Sequence, residues 1–201
     1  MKCLIISGGE YTKVKLKKYD LIIACDKGYH YAKKLKLKPD IVVGDFDSAK
    51  MPRGPFSVIK FDTIKNDTDT GLAVSYALRN GYKDIDIICA LGKRIDHTYA
   101  NIDLLKYIFN SGGEGRILSD NTVISIKGIG KSKIKNDDNF KILSLISIVS
   151  KTKINYIKGS KYDVENIVIR EGMTRGISNE FVKKNIDLDI KSGRLLAIMT
   201  K

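Results

Sequence analysis

Residues 21–44 read LIIACDKGYHYAKKLKLKPDIVVG. The runs Leu21-Ile22-Ile23-Ala24-Cys25 and Ile41-Val42-Val43 are apolar on both faces, as strands buried inside a parallel sheet are. Between them, residues 29–37 carry apolar side chains at helical spacing. Strand, amphipathic helix and strand in so short a span is the α/β rhythm, and the short connection leaves little freedom but a parallel crossover.

The pattern continues in both directions. Leu4-Ile5-Ile6, Ser57-Val58-Ile59 and Ile85-Asp86-Ile87-Ile88-Cys89 are further candidate strands, and residues 69–79 and 97–110 are candidate helices with Gly81 and Gly112 where C-terminal stops belong. After about residue 118 the helical period vanishes. Candidate strands at 122–126, 140–149, 153–157, 166–169, 187–190 and 195–199 are separated by turn residues at the spacing of an antiparallel sandwich or barrel. The expected architecture is α/β: an N-terminal, parallel-sheet, Rossmann-like domain over 1–128, followed by a C-terminal all-β sandwich or barrel domain over 129–201.

The 201 residues are enough to bury a sizeable core, and 43% hydrophobic with 29% charged content is that of an ordinary globular chain. The opening apolar run is too short for a signal-peptide core, and no later run approaches the roughly 20 residues that cross a bilayer. A cytoplasmic protein without membrane partners is expected. Cys3, Cys25 and Cys89 sit in apolar runs and read as small buried core residues. The net charge of +13 raises nucleic acid as a partner. Its distribution argues against that: the densest lysine groups, at 13–18 and 33–38, alternate with apolar residues as solvated faces do.

In an open parallel sheet, ligands bind beyond the carboxyl ends of the strands. The strand ending at Cys25 is followed by Asp26-Lys27-Gly28, and the one ending at Val43 by Gly44-Asp45-Phe46-Asp47-Ser48. The strand ending at Cys89 leads to Gly92-Lys93-Arg94-Ile95-Asp96-His97, and Lys65-Asn66-Asp67-Thr68-Asp69 opens a helix. Each has a plainer reading: Thr68 and Asp96 as helix N-caps, Asp26 and Asp45 as turn formers, Gly28 and Gly44 as sources of unusual backbone angles. Together they suggest more. Asp45 and Asp47, two apart, point to one side of an extended segment, and such close carboxylates favour a cation between them. Magnesium on a nucleotide needs one or two carboxylates plus phosphate oxygens, and a zinc-type His/Cys cluster is missing. Arg94 offers a planar fork for phosphate, with Lys27, Lys65 and Lys93 as point charges. Ser7-Gly8-Gly9 is a further, slighter phosphate-contact candidate. Neither a phosphate loop with Gly-Lys-Ser/Thr nor a dinucleotide fingerprint occurs, so the residues point to phosphoryl or nucleotidyl chemistry without identifying a substrate.

Asp26-Lys27-Gly28, the run from Pro39 to Ser48, Lys65-Asn66-Asp67-Thr68-Asp69 and the run from Gly92 to Asn101 resemble, in order, the motifs of the thiamine pyrophosphokinase family. Gly159-Ser160-Lys161-Tyr162 and Gly176-Ile177-Ser178-Asn179-Glu180 resemble that family's second, all-β domain, so the likeness covers nearly the whole chain.

The resemblance implies diphosphoryl transfer from ATP to thiamine with Mg2+. It also implies a homodimer whose active site joins the α/β domain of one subunit to the β domain of the other. It implies that Asp45, Asp47 and Asp69 hold the metal. These act with Asp96 as the catalytic carboxylates, while Asp26, Gly28, Lys65 and Arg94 hold ATP. Ser178 and Asn179 match the thiamine-contacting segment. Where some relatives stack thiamine on tryptophan, this chain has none, and Phe181 is a candidate substitute, the alternative being a core aromatic. Asn66, Gly71 and Lys93 depart from the family pattern, the first two by removing an acid and the third by replacing a second glycine. The rivals are a pyrophosphokinase for another alcohol, such as a hydroxymethylpterin, and a basic nucleic-acid-binding protein.

Overall fold

A computed structural model describes residues 1–44, 54–60 and 67–201 of the chain. The chain divides into two compact units, Met1–Asp120 and Asn121–Lys201.

The first unit contains β1 (Lys2–Ile6), β2 (Leu21–Cys25), α1 (Gly28–Lys34), β3 (Ile41–Gly44), β4 (Ser57–Lys60), α2 (Asp69–Arg79), β5 (Asp84–Ile88), α3 (Ile95–Asn110) and β6 (Glu114–Leu118). Its strands run in the order β6-β5-β1-β2-β3-β4, and each neighbouring pair is parallel. The apolar runs quoted above are the centre of this sheet because nothing polar on them needs water: Leu4, Ile5, Ile6, Ile23 and Ala24 are fully buried. Gly81 and Gly112, at φ of 82° and 72°, end α2 and α3 where expected.

The crossover from β1 to β2 carries no helix. Residues 12–19 run as an extended strap whose Val14, Leu16 and Tyr19 pack on Leu4, Ile6 and Ile88 beside Ala32 of α1. Lys13, Lys15, Lys17 and Lys18 face solvent, so the lysine alternation is that of a solvated face.

The second unit holds β7 (Thr122–Lys127), β8 (Gly130–Lys135), β9 (Ile142–Ser147), β10 (Lys151–Lys158), β11 (Val164–Arg170), β12 (Asn179–Glu180), β13 (Asn185–Ser192) and β14 (Leu195–Thr200). They form two antiparallel sets, β12-β9-β14-β7 and β11-β10-β13-β8. One core serves both: Leu143, Leu145 and Leu195 from one set meet Ile154, Ile169, Ile186 and Leu188 from the other. This is the alternation of inward apolar and outward polar residues that two facing sheets require. Pairing of β7 with β14 carries residues 122–127 into this unit, ahead of the 128/129 boundary expected from sequence.

All three cysteines are buried thiols. Burial, with Asp40 and Asp86 adding to it, pushes the Cys3 thiol up to about 12.

Candidate functional site

The connections leave β1 toward β2 on one side and return through β5 on the other, which opens a crevice at the carboxyl ends of those strands. A cavity of about 390 Å³ lies there. Its wall is Ser7 to Glu10 after β1, Asp26 and Lys27 after β2, Thr68 to Thr70 at the start of α2, and Ala90 to Arg94 after β5, with His97, Thr98 and Asn101 from α3.

The strand ends are locked to one another. Ser7 N–H donates to Ile88 O (3.0 Å), Gly9 N–H to Cys89 O (2.8 Å) and Glu10 N–H to Leu91 O (2.8 Å), extending the β1/β5 pairing past the strands. From α3, Asn101 Nδ2 donates to Ala90 O (2.7 Å), and Thr98 Oγ1 accepts from Gly92 N–H (3.1 Å). The buried hydroxyls of Ser7 and Thr70 meet at 2.8 Å. Asp26 takes a left-handed φ of 49°, which costs a non-glycine residue roughly 1–3 kcal/mol. Its N–H donates to Val43 O at 2.8 Å, so the tight turn places an exposed carboxylate at the rim.

The expected site residues fall into separate groups. Asp26, Asp69 and Arg94 line the cavity. Gly28 is buried behind it: a Cβ there would lie 2.0 Å from Ile6 O, so glycine is needed for α1 to approach β1, and its φ is not positive. Asp45, Asp47 and Lys65, with Asn66, lie outside the described residues. Asp96 is the second residue of α3 and not its N-cap, a place taken by Arg94. Arg94 instead spans Asp96, Nε to Oδ1 at 3.1 Å and Nη2 to Oδ2 at 2.5 Å. That pairing holds the Asp96 carboxyl down to about 2.

The cavity rim therefore mixes the carboxylates of Glu10, Asp26 and Asp69 with the cations of Lys27, Lys93 and Arg94. Among the described residues no cluster of three His, Cys, Asp or Glu side chains forms a metal cage. One or two carboxylates with room for phosphate oxygens is the donor set that suits nucleotide-bound Mg2+, so the residues present fit that ion.

In the second unit, Ser178 takes φ of 61° and its N–H donates to Ser144 Oγ at 3.1 Å. The Asn179 amide is fully engaged. Nδ2 donates to Ser160 Oγ (3.0 Å) and Tyr162 O (3.1 Å), while Oδ1 accepts from Tyr162 N–H (3.0 Å) and Glu180 N–H (2.9 Å). It clamps the 160–162 turn to the 178–180 segment. Phe181 packs against the core of the unit, whereas Tyr162 is 57% exposed beside the clamp. Tyr162 belongs to the Gly159–Tyr162 motif, and Thr98 and Asn101 to the run from Gly92 to Asn101, without any of them standing out by sequence; Thr70, Thr98 and Asn101 line the cavity from helices.

A family model described as the catalytic domain of thiamin pyrophosphokinase matches residues 12–114, and one described as its vitamin B1 binding domain matches residues 131–195. The chain is 27% identical over 186 residues to a thiamine pyrophosphokinase of Bacillus subtilis, covering 90% of this chain and 87% of that protein. A crystal structure of thiamine pyrophosphokinase from Bacillus subtilis superposes with a TM-score of 0.90 at 25% identity, covering 100% of this chain and 99% of the other. One from Geobacillus thermodenitrificans gives a TM-score of 0.86 at 24% identity, covering 100% and 98%, and speaks for the fold.

Proposed function

We propose, from the premise that the chain belongs to the thiamin pyrophosphokinase family, that Mg2+·ATP binds in the cavity at the β1/β5 crevice. The enzyme's reaction is ATP-dependent diphosphorylation of thiamine, giving thiamine diphosphate and AMP. The observation that carries the assignment of the cavity is its mixed lining, which Asp26 and Asp69 share with Lys27, Lys93 and Arg94 in a crevice at the sheet's switch point.

In this reading Asp69, with Asp45 and Asp47, would hold the ion, and Asp26 would hold the nucleotide beside it. The ion supplies neutralisation of phosphate charge when bound. Lys27, Lys93 and Arg94 orient the triphosphate, Arg94 by exchanging one carboxylate partner for a phosphate. Lys65 joins them. Ser178 receives thiamine, and Tyr162 offers its ring face to the thiazolium or pyrimidine ring. The thiamine hydroxyl oxygen forms a bond to the β-phosphorus as the bond from that phosphorus to the α,β-bridging oxygen breaks. AMP leaves with the electron pair, and the hydroxyl proton passes to a carboxylate, Asp96 being a candidate beside the aspartates that would hold the metal. Positioning and fixed charge do most of the work.

The same premise supports a homodimer, a cytoplasmic location, and a Rossmann-like description of the first unit. No helix among the described residues is long and apolar enough to cross a membrane. The experiment is direct: incubate the protein with ATP, Mg2+ and thiamine and separate the products. AMP with thiamine diphosphate is expected, and ADP in place of AMP would overturn diphosphoryl transfer.

A further inference from the structure

Helix α2 begins in an unusual way. Thr68 is its N-cap, and Thr68 Oγ1 accepts from Gly71 N–H at 3.1 Å, half of a reciprocal capping box. The other half needs a carboxylate on the third helical residue reaching back to the cap N–H, and that residue is Gly71. Asp67 supplies it from the other direction: Asp67 Oδ1 accepts from Thr68 N–H at 2.8 Å. The carboxylate occupies the very space a side chain at position 71 would fill, since a Cβ on Gly71 would lie 2.3 Å from Asp67 Oδ1 and 2.6 Å from Oδ2.

We infer that Asp67 is a positioning residue, which with Gly71 forms an inverted capping box that fixes the first turn of α2 and, through it, the Asp69 and Thr70 wall of the cavity. The turn is tied to the cavity at two points. Asp69 O accepts from Cys25 Sγ at 3.6 Å, and Thr70 meets Ser7 at 2.8 Å. Fraying of that turn removes both from the nucleotide's path, so binding bears the cost of re-forming it. The inference rests on the proposed nucleotide site.

The two positions exclude each other, which makes the test sharp. Gly→Ala inside a helix ordinarily stabilises. Here Gly71→Ala displaces the Asp67 carboxylate and supplies no acceptor, so it is expected to lower the unfolding midpoint and weaken Mn2+·ATP binding, read by electron paramagnetic resonance. In the Asp67→Ala background the same change is expected to raise the midpoint. Asp67→Ala alone weakens Mn2+·ATP about fivefold, the factor to which the loss of one cap corresponds, and leaves the KM for thiamine unchanged. Asp67→Asn keeps an acceptor oxygen without charge and retains the wild-type affinity. Gly71→Ala stabilising the wild-type background, or Asp67→Asn losing as much affinity as Asp67→Ala, would overturn the inference. A wild-type chain that bound no Mn2+·ATP would overturn the proposed nucleotide site, and the unfolding cycle alone would then decide the cap.

Discussion

Arg94 lays its guanidinium across both carboxylate oxygens of Asp96, two residues along the chain, while both side chains remain largely exposed at 72% and 63%. The pair thus sets a cation of the cavity lining against an exposed carboxylate on the first turn of α3. Because the Asp96 carboxyl is depressed to about 2, chiefly by its bond to Arg94, it stays ionised through the whole neutral and mildly acidic range. A depressed folded value stabilises above the unfolded value of about 3.9 and loses that effect as pH falls through the folded one. In Arg94→Gln the Asp96 carboxyl should titrate higher, toward the ordinary carboxylate range, with the His97 N–H still holding it down, followed by carboxyl NMR. An unchanged midpoint would mean that the fork does not set its charge.

Asp69, first residue of α2 and part of the cavity wall, carries the sharpest catalytic prediction. Asp69→Asn keeps the shape and removes only the charge, so kcat should fall about 100-fold or more, the scale of losing one preorganised electrostatic contact. Its thermal midpoint should hardly move, because a first-turn charge contributes only about 0.3–1 kcal/mol to the helix. Turnover within a few-fold of wild type would exclude Asp69 from the metal site.

The sheet was legible because β1, β2, β3 and β5 are buried on both faces and so nearly uninterrupted in their apolar runs. The elements that escaped notice are those whose pairing overrides composition. β8, Gly130–Lys135, buries only Ile134 among lysines, and β6 places Arg116 opposite Asp86. The strap over residues 12–19 has strand-like alternation yet belongs to no sheet among the described residues, and its inward Val14, Leu16 and Tyr19 cover the core instead. At the site, acidic strand ends were readable from the switch-point rule, which says where a residue lies and not what it touches. Gly28 and Asn179 show the limit. One is needed for backbone approach to Ile6, the other for a clamp on residues far away in sequence, and neither need is written in local spacing.

The clamp separates two roles near Ser178. Tyr162→Ala removes an exposed ring and should raise the KM for thiamine roughly tenfold, whereas Tyr162→Phe should change it little. Phe181→Leu, a change within the core packing, should leave that KM alone and lower stability instead. Asn179→Asp loses both Nδ2 donors to Ser160 and Tyr162 and should mimic Tyr162→Ala, with the KM for ATP unchanged. Initial rates against each substrate decide the matter. A Phe181 variant with the larger thiamine effect would return the stacking role to that residue.

Stability has its own charged centre, away from the cavity. Arg116 bonds Asp84 and, at 2.5 Å, Asp86, whose side chain is only 4% exposed, while Tyr19 of the strap donates to Asp86 at 2.7 Å. Burial and the bond to Asp86 push the Tyr19 hydroxyl up, and the two aspartates raise Arg116 against the pull of its own burial. Arg116→Met leaves a buried carboxylate without its cation, which costs about 3–5 kcal/mol. At roughly 2–4 °C per kcal/mol for a chain of this size, the midpoint should drop on the order of 10 °C. Partial burial of Asp84 works to raise its carboxyl, but the bonds to Arg116 and Lys2 prevail and hold it below the usual range. Its stabilising contribution is therefore complete above about pH 3.9 and is lost as pH falls through the lowered folded value. Removing Arg116 returns Asp84 toward the ordinary value, so the stability gap between wild type and variant should be smaller at pH 3.5 than at pH 7. Urea unfolding at pH 7 and pH 3.5 measures both gaps. Equal gaps would show that the Arg116 ion pairs carry no net stability and that the variant fails through lost packing instead.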